Sequence, residues 1–271
     1  MDESPHDRLP ALLPASQDHH RLASSAALNI VWIGAILLVG AVLLARIMPA
    51  GGGDFYIFKV LGAYLLLLLP LLAGLPAHLP HSRFGAANTV TLARAALVCL
   101  LASLYREPWS SNAFLVACIA IVALSLDGVD GWLARWHATQ SRFGARFDME
   151  TDSLLVLVLA LLAWQSGKAG AWVLVAGLFR YAFFAAALLW RWLDRPLPAR
   201  QRRKTICVLV LIALIACIAP ILPDAWRTAA AVCAVLMVTW SFGVDILWLV
   251  RRRRLPMSEL PLATGALDAA G

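Results

Sequence analysis

The stretch from Asp127 to Asp152 reads DGVDGWLARWHATQSRFGARFDMETD, and it holds four aspartates in a chain that is otherwise mostly apolar. Its first two aspartates, Asp127 and Asp130, are three positions apart. Its last two, Asp148 and Asp152, are four positions apart. Both spacings place the paired side chains on one face of a helix. If the two segments form neighbouring helices, four carboxylates converge on one point.

Four converging carboxylates predict a metal site, because their mutual repulsion disfavours the charged forms unless a cation is present. Hard divalent cations with oxygen ligands, Mg²⁺ or Mn²⁺, suit such a site. A simpler alternative is that the aspartates lie in solvated loops, or that Asp148 only caps a helix. Acidic residues flanked by apolar spans are functional more often than not, which favours the metal site.

Small residues share the face of the first aspartate pair. Gly131 and Ala134 follow Asp127 by four and seven positions, so a phosphate or nucleotide can approach the helix backbone there. Arg135 follows at once and is suited to phosphate oxygens. Metal, phosphate and a spare carboxylate together indicate a phosphoryl-transfer site.

The stretch resembles the signature of the CDP-alcohol phosphotransferase family, also called CDP-alcohol phosphatidyltransferases. That signature is D, two residues, DG, two, AR, eight, G, three, D, three, D. The matching residues, with every spacing intact, are Asp127, Asp130, Gly131, Ala134, Arg135, Gly144, Asp148 and Asp152. Eight specified positions make a chance match very improbable.

The resemblance implies a reaction and roles for these residues. A CDP-linked lipid, typically CDP-diacylglycerol, would donate a phosphatidyl group to a small alcohol or phospho-alcohol, with release of CMP. Two divalent ions would be held by Asp127, Asp130, Asp148 and Asp152, and Asp152 would also be the catalytic base. The residues expected to bind the CDP group are Asn88, Thr91, Gly131, Ala134, Arg135 and Gly144. Arg94 follows Thr91 by three positions, as Thr91 follows Asn88, so the three residues share one face of a helix. The alternative interpretation is that the Arg94 side chain snorkels to the membrane interface.

Composition predicts an all-α, polytopic transmembrane helical bundle. Hydrophobic residues make up 61% of the chain and charged residues 14%. We expect a six-helix catalytic core preceded by two extra N-terminal spans. The expected divisions are a polar cytoplasmic tail (1–22), the N-terminal pair of spans (23–80), the core (81–254) and a C-terminal tail (255–271). Because every motif residue follows the N-terminal pair, we expect that pair to be dispensable for chemistry.

The excess of 23 Lys and Arg over 16 Asp and Glu does not indicate nucleic acid, because the basic residues mostly flank apolar runs. With both termini inside, the basic loops fall on the cytoplasmic side, which predicts an active site on the cytoplasmic face of a bacterial inner membrane. A homodimer is possible. The alternative class is an ion-coupled transporter with an intramembrane acidic site.

Basic residues after the motif suggest how an acceptor is held. Arg180 interrupts an apolar span and needs an anionic partner at that depth. Together with Arg203 and Lys204 it could hold a phosphorylated acceptor such as glycerol 3-phosphate. With that acceptor the protein would resemble the phosphatidylglycerophosphate synthases, but Ser153 stands where those enzymes typically have Lys. The basic patch is otherwise explained as a topology signal alone.

Overall fold

The protein is described from a computed structural model, which covers residues 15–47, 53–78, 83–107, 109–136, 141–190 and 201–252. These ranges contain helices and turns and no strand, which confirms the all-α prediction. The helices are α1 (Ala15–Ile47), α2 (Gly53–Gly74), α3 (Ala86–Ser103), α4 (Trp109–Trp136), α5 (Arg142–Gln165), α6 (Leu174–Leu189), α7 (Gln201–Ile218) and α8 (Asp224–Arg252).

Six of these helices, namely α1, α2, α3, α4, α6 and α8, are long and apolar enough to cross a membrane. The protein is therefore an integral, multi-pass membrane protein. The other two, α5 and α7, are more polar because they begin with charged residues: α5 carries Asp148 and Asp152, and α7 carries Arg203 and Lys204.

Helix α3 lies at the centre of the bundle. It packs against α1, α2, α4 and α5, and 61% of its span is buried, against 11% for α1. Helix α7 packs against α4, α5 and α8, and α6 packs against α5 and α8. A side chain on α3 can therefore reach both helices of the motif.

Two boundaries differ from the sequence-based expectation. Helix α1 begins at Ala15, inside the range predicted as a polar tail. Helix α5 begins at Arg142, whereas the sequence pattern predicts a loop or tilted segment from Trp136 to Phe147 and a helix that starts at Asp148. The earlier start has a local cause, since the side chain of Ser141 accepts a hydrogen bond from the Gly144 N–H and caps the helix.

The turns define two ends of the bundle. Gln165, at the end of α5, accepts a hydrogen bond from the Arg106 N–H and donates one to the Glu107 carbonyl, in the turn after α3. Lys168, in the turn after α5, pairs with Asp224 at the start of α8 at 2.9 Å. The motif residues of α4 and α5 lie toward the opposite end, because α4 ends and α5 begins there.

Candidate functional site

The centre of the site is Arg94, a fully buried arginine on α3. Its Nε donates to the Ala123 carbonyl of α4 at 3.2 Å. Its Nη1 donates to Asp148 at 2.6 Å, and its Nη2 donates to Asp152. The guanidinium thus joins α4 to α5, and the alternative that Arg94 snorkels to the interface is wrong.

Three aspartates surround this guanidinium. One carboxylate oxygen from each of Asp127, Asp148 and Asp152 lies within 4.8 Å of the others. Asp127 is buried on α4, and its Oδ1 lies 3.0 Å from the Arg94 Nη1. Asp148 and Asp152 are partly exposed on α5, so the cluster opens toward the end of the bundle where α5 begins.

The helices of the motif meet through α3. The principal neighbours of α4 are α3 and α7, and those of α5 are α3, α6 and α7. The conditional expectation that the two motif helices are direct neighbours therefore gives way to an arrangement in which α3 and α7 each pack against both of them. This is why an α3 side chain, Arg94, occupies the middle of the cluster.

Charge and hydrogen bonding at the cluster fit a divalent cation. Three carboxylates and one guanidinium carry a net charge of −2, which a single divalent ion would neutralise. The buried Asp127 Oδ1 accepts no hydrogen bond of good geometry in the described part of the chain, although Arg94 lies at ion-pair distance. A buried acceptor left in this state is costly unless another partner is bound. Carboxylate oxygens are the ligands that Mg²⁺ and Mn²⁺ prefer.

The start of α5 approaches α3 closely beside this cluster. A Cβ on Gly144 would lie 2.7 Å from the Asn88 Oδ1, so only glycine fits there without a shift of Asn88. Asn88 is buried and donates to the Phe84 carbonyl at 2.6 Å, which fixes its side chain. Gly144 therefore allows α3 and α5 to come together. Its contact with the CDP group stays a prediction.

The family model for CDP-alcohol phosphatidyltransferases matches residues 84–243, more than half of the chain. The chain belongs to this family. It is accordingly a transferase, and the family uses a CDP-alcohol donor and an alcohol acceptor in the membrane. The search of curated proteins and the search of solved structures each returned no match.

The matched range contains every residue that the CDP-alcohol phosphatidyltransferase signature assigned, and the structure describes the side chains of some of them. Thr91 is buried one turn after Asn88, and its hydroxyl donates to the Ala87 carbonyl at 3.1 Å. Gly131 lies on α4, one residue after Asp130. The side chains of Asp130, Ala134 and Arg135 lie outside the described part, although their backbone belongs to α4.

Two of the three residues expected to bind an acceptor in this transferase already have acidic neighbours. Arg180 on α6 pairs with Glu150 of α5 at 2.5 Å, which supplies the anionic partner that its depth requires. Arg203 lies 3.9 Å from Asp245 of α8, and Lys204 is exposed. Among the other basic residues of the patch at 191–204, Arg202 donates to Asp245 at 2.5 Å, and those at 191–200 lie outside the described residues.

Sequence reasoning missed the central position of Arg94 in this family site. The usable signal was its helical spacing from Asn88 and Thr91, both buried on the same helix. Glu150 and Asp245 were also missed as partners of Arg180 and Arg203. Their only sequence signal was an acidic residue in an otherwise apolar helix.

Proposed function

We propose that the protein is a membrane phospholipid synthase that transfers a phosphatidyl group from CDP-diacylglycerol to an alcohol and releases CMP. The observation that carries this proposal is the cluster of Asp127, Asp148 and Asp152 around Arg94, inside the matched family domain. Membership of a transferase family favours this function over the ion-coupled transporter, which the buried acids alone left open.

In the proposed reaction, the oxygen of the acceptor hydroxyl forms a bond to the phosphorus of the phosphatidyl group. The bond between that phosphorus and the bridging pyrophosphate oxygen breaks, and CMP leaves with the bonding electrons. Asp152 accepts the hydroxyl proton as general base. Its Oδ1 already receives the Arg94 Nη2 hydrogen bond, so its second oxygen is the candidate proton acceptor.

The proposed ligands of two Mg²⁺ or Mn²⁺ ions are Asp127, Asp130, Asp148 and Asp152. Bound there, the ions would supply the positive charge that offsets the pyrophosphate and the leaving phosphate. The proposed contacts to the CDP group are Asn88, Thr91, Gly131, Ala134, Arg135 and Gly144. Among these, Arg135 would bind the phosphates.

An apolar groove supports the placement of the lipid tails of the donor. A cavity of about 390 Å³ lies between α6 and α8, with Phe179, Phe183, Trp190 and Phe242 among its lining residues. It faces apolar side chains only, and Phe179 adjoins Arg180, whose partner Glu150 lies between the site residues of α5. Hydrocarbon tails could therefore lie there while the head group reaches the aspartates.

For the acceptor we propose a phosphorylated alcohol, such as glycerol 3-phosphate, held by Arg180, Arg203 and Lys204. Arg180 and Glu150 form a partly exposed pair, and such pairs are weak enough for a phosphate to compete. Helices α6 and α7, which carry these cations, both pack against α5. The homodimer expected as a possibility stays a prediction.

We expect the protein purified in nanodiscs to convert CDP-diacylglycerol and one alcohol into CMP and a new phospholipid when Mg²⁺ is present. Glycerol 3-phosphate, glycerol and serine would serve as phosphorylated, neutral and zwitterionic probes. Chromatography would measure CMP, and mass spectrometry would identify the lipid. The control is the Asp127→Asn variant, which keeps the shape of the side chain and loses its charge.

Two results would count against this function. The absence of product with a wider panel of alcohols, from folded protein, would contradict phosphatidyl transfer. Full CMP release in excess chelator would contradict the metal requirement while leaving the transfer itself intact. Product from glycerol or serine alone would contradict the phosphorylated acceptor.

We also propose that the site faces the cytoplasm of a bacterial cell, with the motif end of the bundle inside. The support is the positive-inside rule, because the basic loops fall at that end.

In a variant whose five cysteines are replaced, we expect Arg106→Cys to react with an impermeant thiol reagent in intact cells. Arg146→Cys, which is also exposed, should react only after permeabilisation. The reverse labelling pattern would invert the topology.

A further inference from the structure

A histidine before the family domain reaches the helix that carries two of the three clustered aspartates. His78 lies in the 3₁₀ turn Leu75–His78 after α2, is 2% exposed, and precedes the matched range by six residues. Its Nδ1 is 2.8 Å from the hydroxyl oxygen of Ser141, and its Nε2 is 2.9 Å from the Arg83 carbonyl oxygen. It thus joins the N-terminal segment, the chain entering α3 and the start of α5.

The partners determine the direction of these hydrogen bonds. The Arg83 carbonyl only accepts, so the His78 Nε2 carries the proton and donates to it. In the neutral ring Nδ1 is then an acceptor, and the Ser141 hydroxyl donates to it. The Ser141 oxygen in turn accepts from the Gly144 N–H at 3.0 Å. The hydrogen bonds therefore all run in one direction, from the Gly144 N–H through Ser141 and His78 to the Arg83 carbonyl.

Aromatic packing at the same junction holds the start of α5 from the other side. Phe143 is buried and lies edge-on to His78, with ring centroids 5.6 Å apart, and 6.2 Å from Phe84. A Cβ on Gly74, the last residue of α2, would lie 3.3 Å from the Phe143 ring. The N-terminal segment therefore forms part of the socket for Phe143.

Asp148 and Asp152 lie seven and eleven residues beyond Ser141, about two and three turns along α5. A helix transmits a shift of its first turn to the next turns because its hydrogen bonds keep it rigid. Gly144 must also keep its close approach to Asn88. The position of the first turn of α5 thus determines how Asp148 and Asp152 meet Asp127.

We propose that His78 is a positioning residue, which holds the first turn of α5 through Ser141 and so places Asp148 and Asp152 for phosphatidyl transfer. The N-terminal pair of helices then takes part in building the site. This inference replaces the expectation that residues 23–80 are dispensable for chemistry. Only its kinetic consequence rests on the proposed function.

The decisive test is a set of substitutions that separates the two nitrogens of His78. Asn can place its side-chain oxygen near the position of Nδ1 and accept from Ser141, whereas Gln can place its amide near Nε2 and donate to Arg83. His78→Phe keeps an aromatic ring and removes the hydrogen bonds to Ser141 and Arg83. We expect hydrogen exchange of the amides at 144–148 to rise in the Phe and Gln variants and to stay near wild type in His78→Asn.

The kinetic arm should follow the same order. We expect turnover to fall roughly tenfold in His78→Phe and His78→Gln and to recover in His78→Asn, because small displacements of reacting groups cost rate. Tyr64→Phe is the matched control, since it removes a hydrogen bond of α2 to the Ile30 carbonyl, inside the N-terminal pair. That variant should leave both exchange at 144–148 and turnover unchanged.

Several results would overturn the inference. They are unchanged exchange at 144–148 in His78→Phe, exchange that rises equally along the end of α5 at 154–165, or rescue by Gln and not by Asn. If the His78 variants do not fold, Ser141→Ala must raise the same local exchange, and its failure to do so also refutes the inference. If the wild type transfers no phosphatidyl group, the proposed function fails, while the exchange experiment still decides whether His78 holds α5.

Discussion

Replacement of Asp152 by Asn is expected to reduce turnover by roughly two to four orders of magnitude, the usual scale for loss of a general base. The amide keeps the size of the carboxylate, and its oxygen can still accept the Arg94 Nη2 hydrogen bond. It cannot accept a proton from the acceptor hydroxyl. Affinity for CDP-diacylglycerol should change little, because Asp127 and Asp148 still contribute their charge to the cluster.

The matched variant is Asp127→Asn, which makes the same chemical change at the buried end of the cluster. Asp127 contributes charge and an oxygen without a well-formed hydrogen bond. We therefore expect its loss to weaken donor binding and turnover together. Donor affinity and single-turnover rate would be measured for both variants at several Mg²⁺ concentrations. If Asp152→Asn loses donor affinity as severely as Asp127→Asn and high Mg²⁺ restores its rate, Asp152 acts mainly as a ligand and another group is the base.

The sequence was informative wherever the signal was local or a fixed spacing. The spacing within each aspartate pair follows from helix geometry, and Asp127, Asp148 and Asp152 do meet in the structure. The all-α fold follows from apolar runs of about 20 residues, each long enough to span the bilayer as a helix that satisfies its own backbone hydrogen bonds. The family follows from eight positions at fixed distances, and the match over 84–243 agrees with it.

What the sequence did not predict depends on contacts between distant segments. The run Arg142 to Phe147 contains two arginines and a glycine, and the sequence pattern predicts a loop or tilted segment there. In the structure Ser141 caps it, and Gly144 is required by the close approach to Asn88. The Ser141 cap is a local signal that the sequence interpretation did not use. The close approach of Gly144 to Asn88 joins distant segments and is not encoded in the local pattern. Arg94 likewise has no acidic residue near it in sequence, and its acidic partners lie 33 to 58 positions away.

Because Arg94 pairs with acidic residues from two other helices, Arg94→Met is the substitution with the largest expected effect on stability. Arg94 is fully buried and is the cation that the structure places among three carboxylates. Removing one partner of a buried charged group costs about 3–5 kcal/mol of the free energy of unfolding, because the remaining charge is left uncompensated. We expect such a loss when thermal unfolding is measured in detergent with excess chelator.

A divalent cation should recover part of that loss, because it supplies the positive charge that the variant lacks. The matched control is Arg180→Met, which also removes an arginine paired with an acid of α5. Its partner Glu150 is partly exposed, so its loss should cost no more than about 1 kcal/mol. If Arg94→Met unfolds like the wild type in chelator, the carboxylates do not depend on Arg94. If Mg²⁺ stabilises the wild type and Arg94→Met equally, the ion and the guanidinium act on the cluster independently, and the net charge of −2 is not what draws a cation to it.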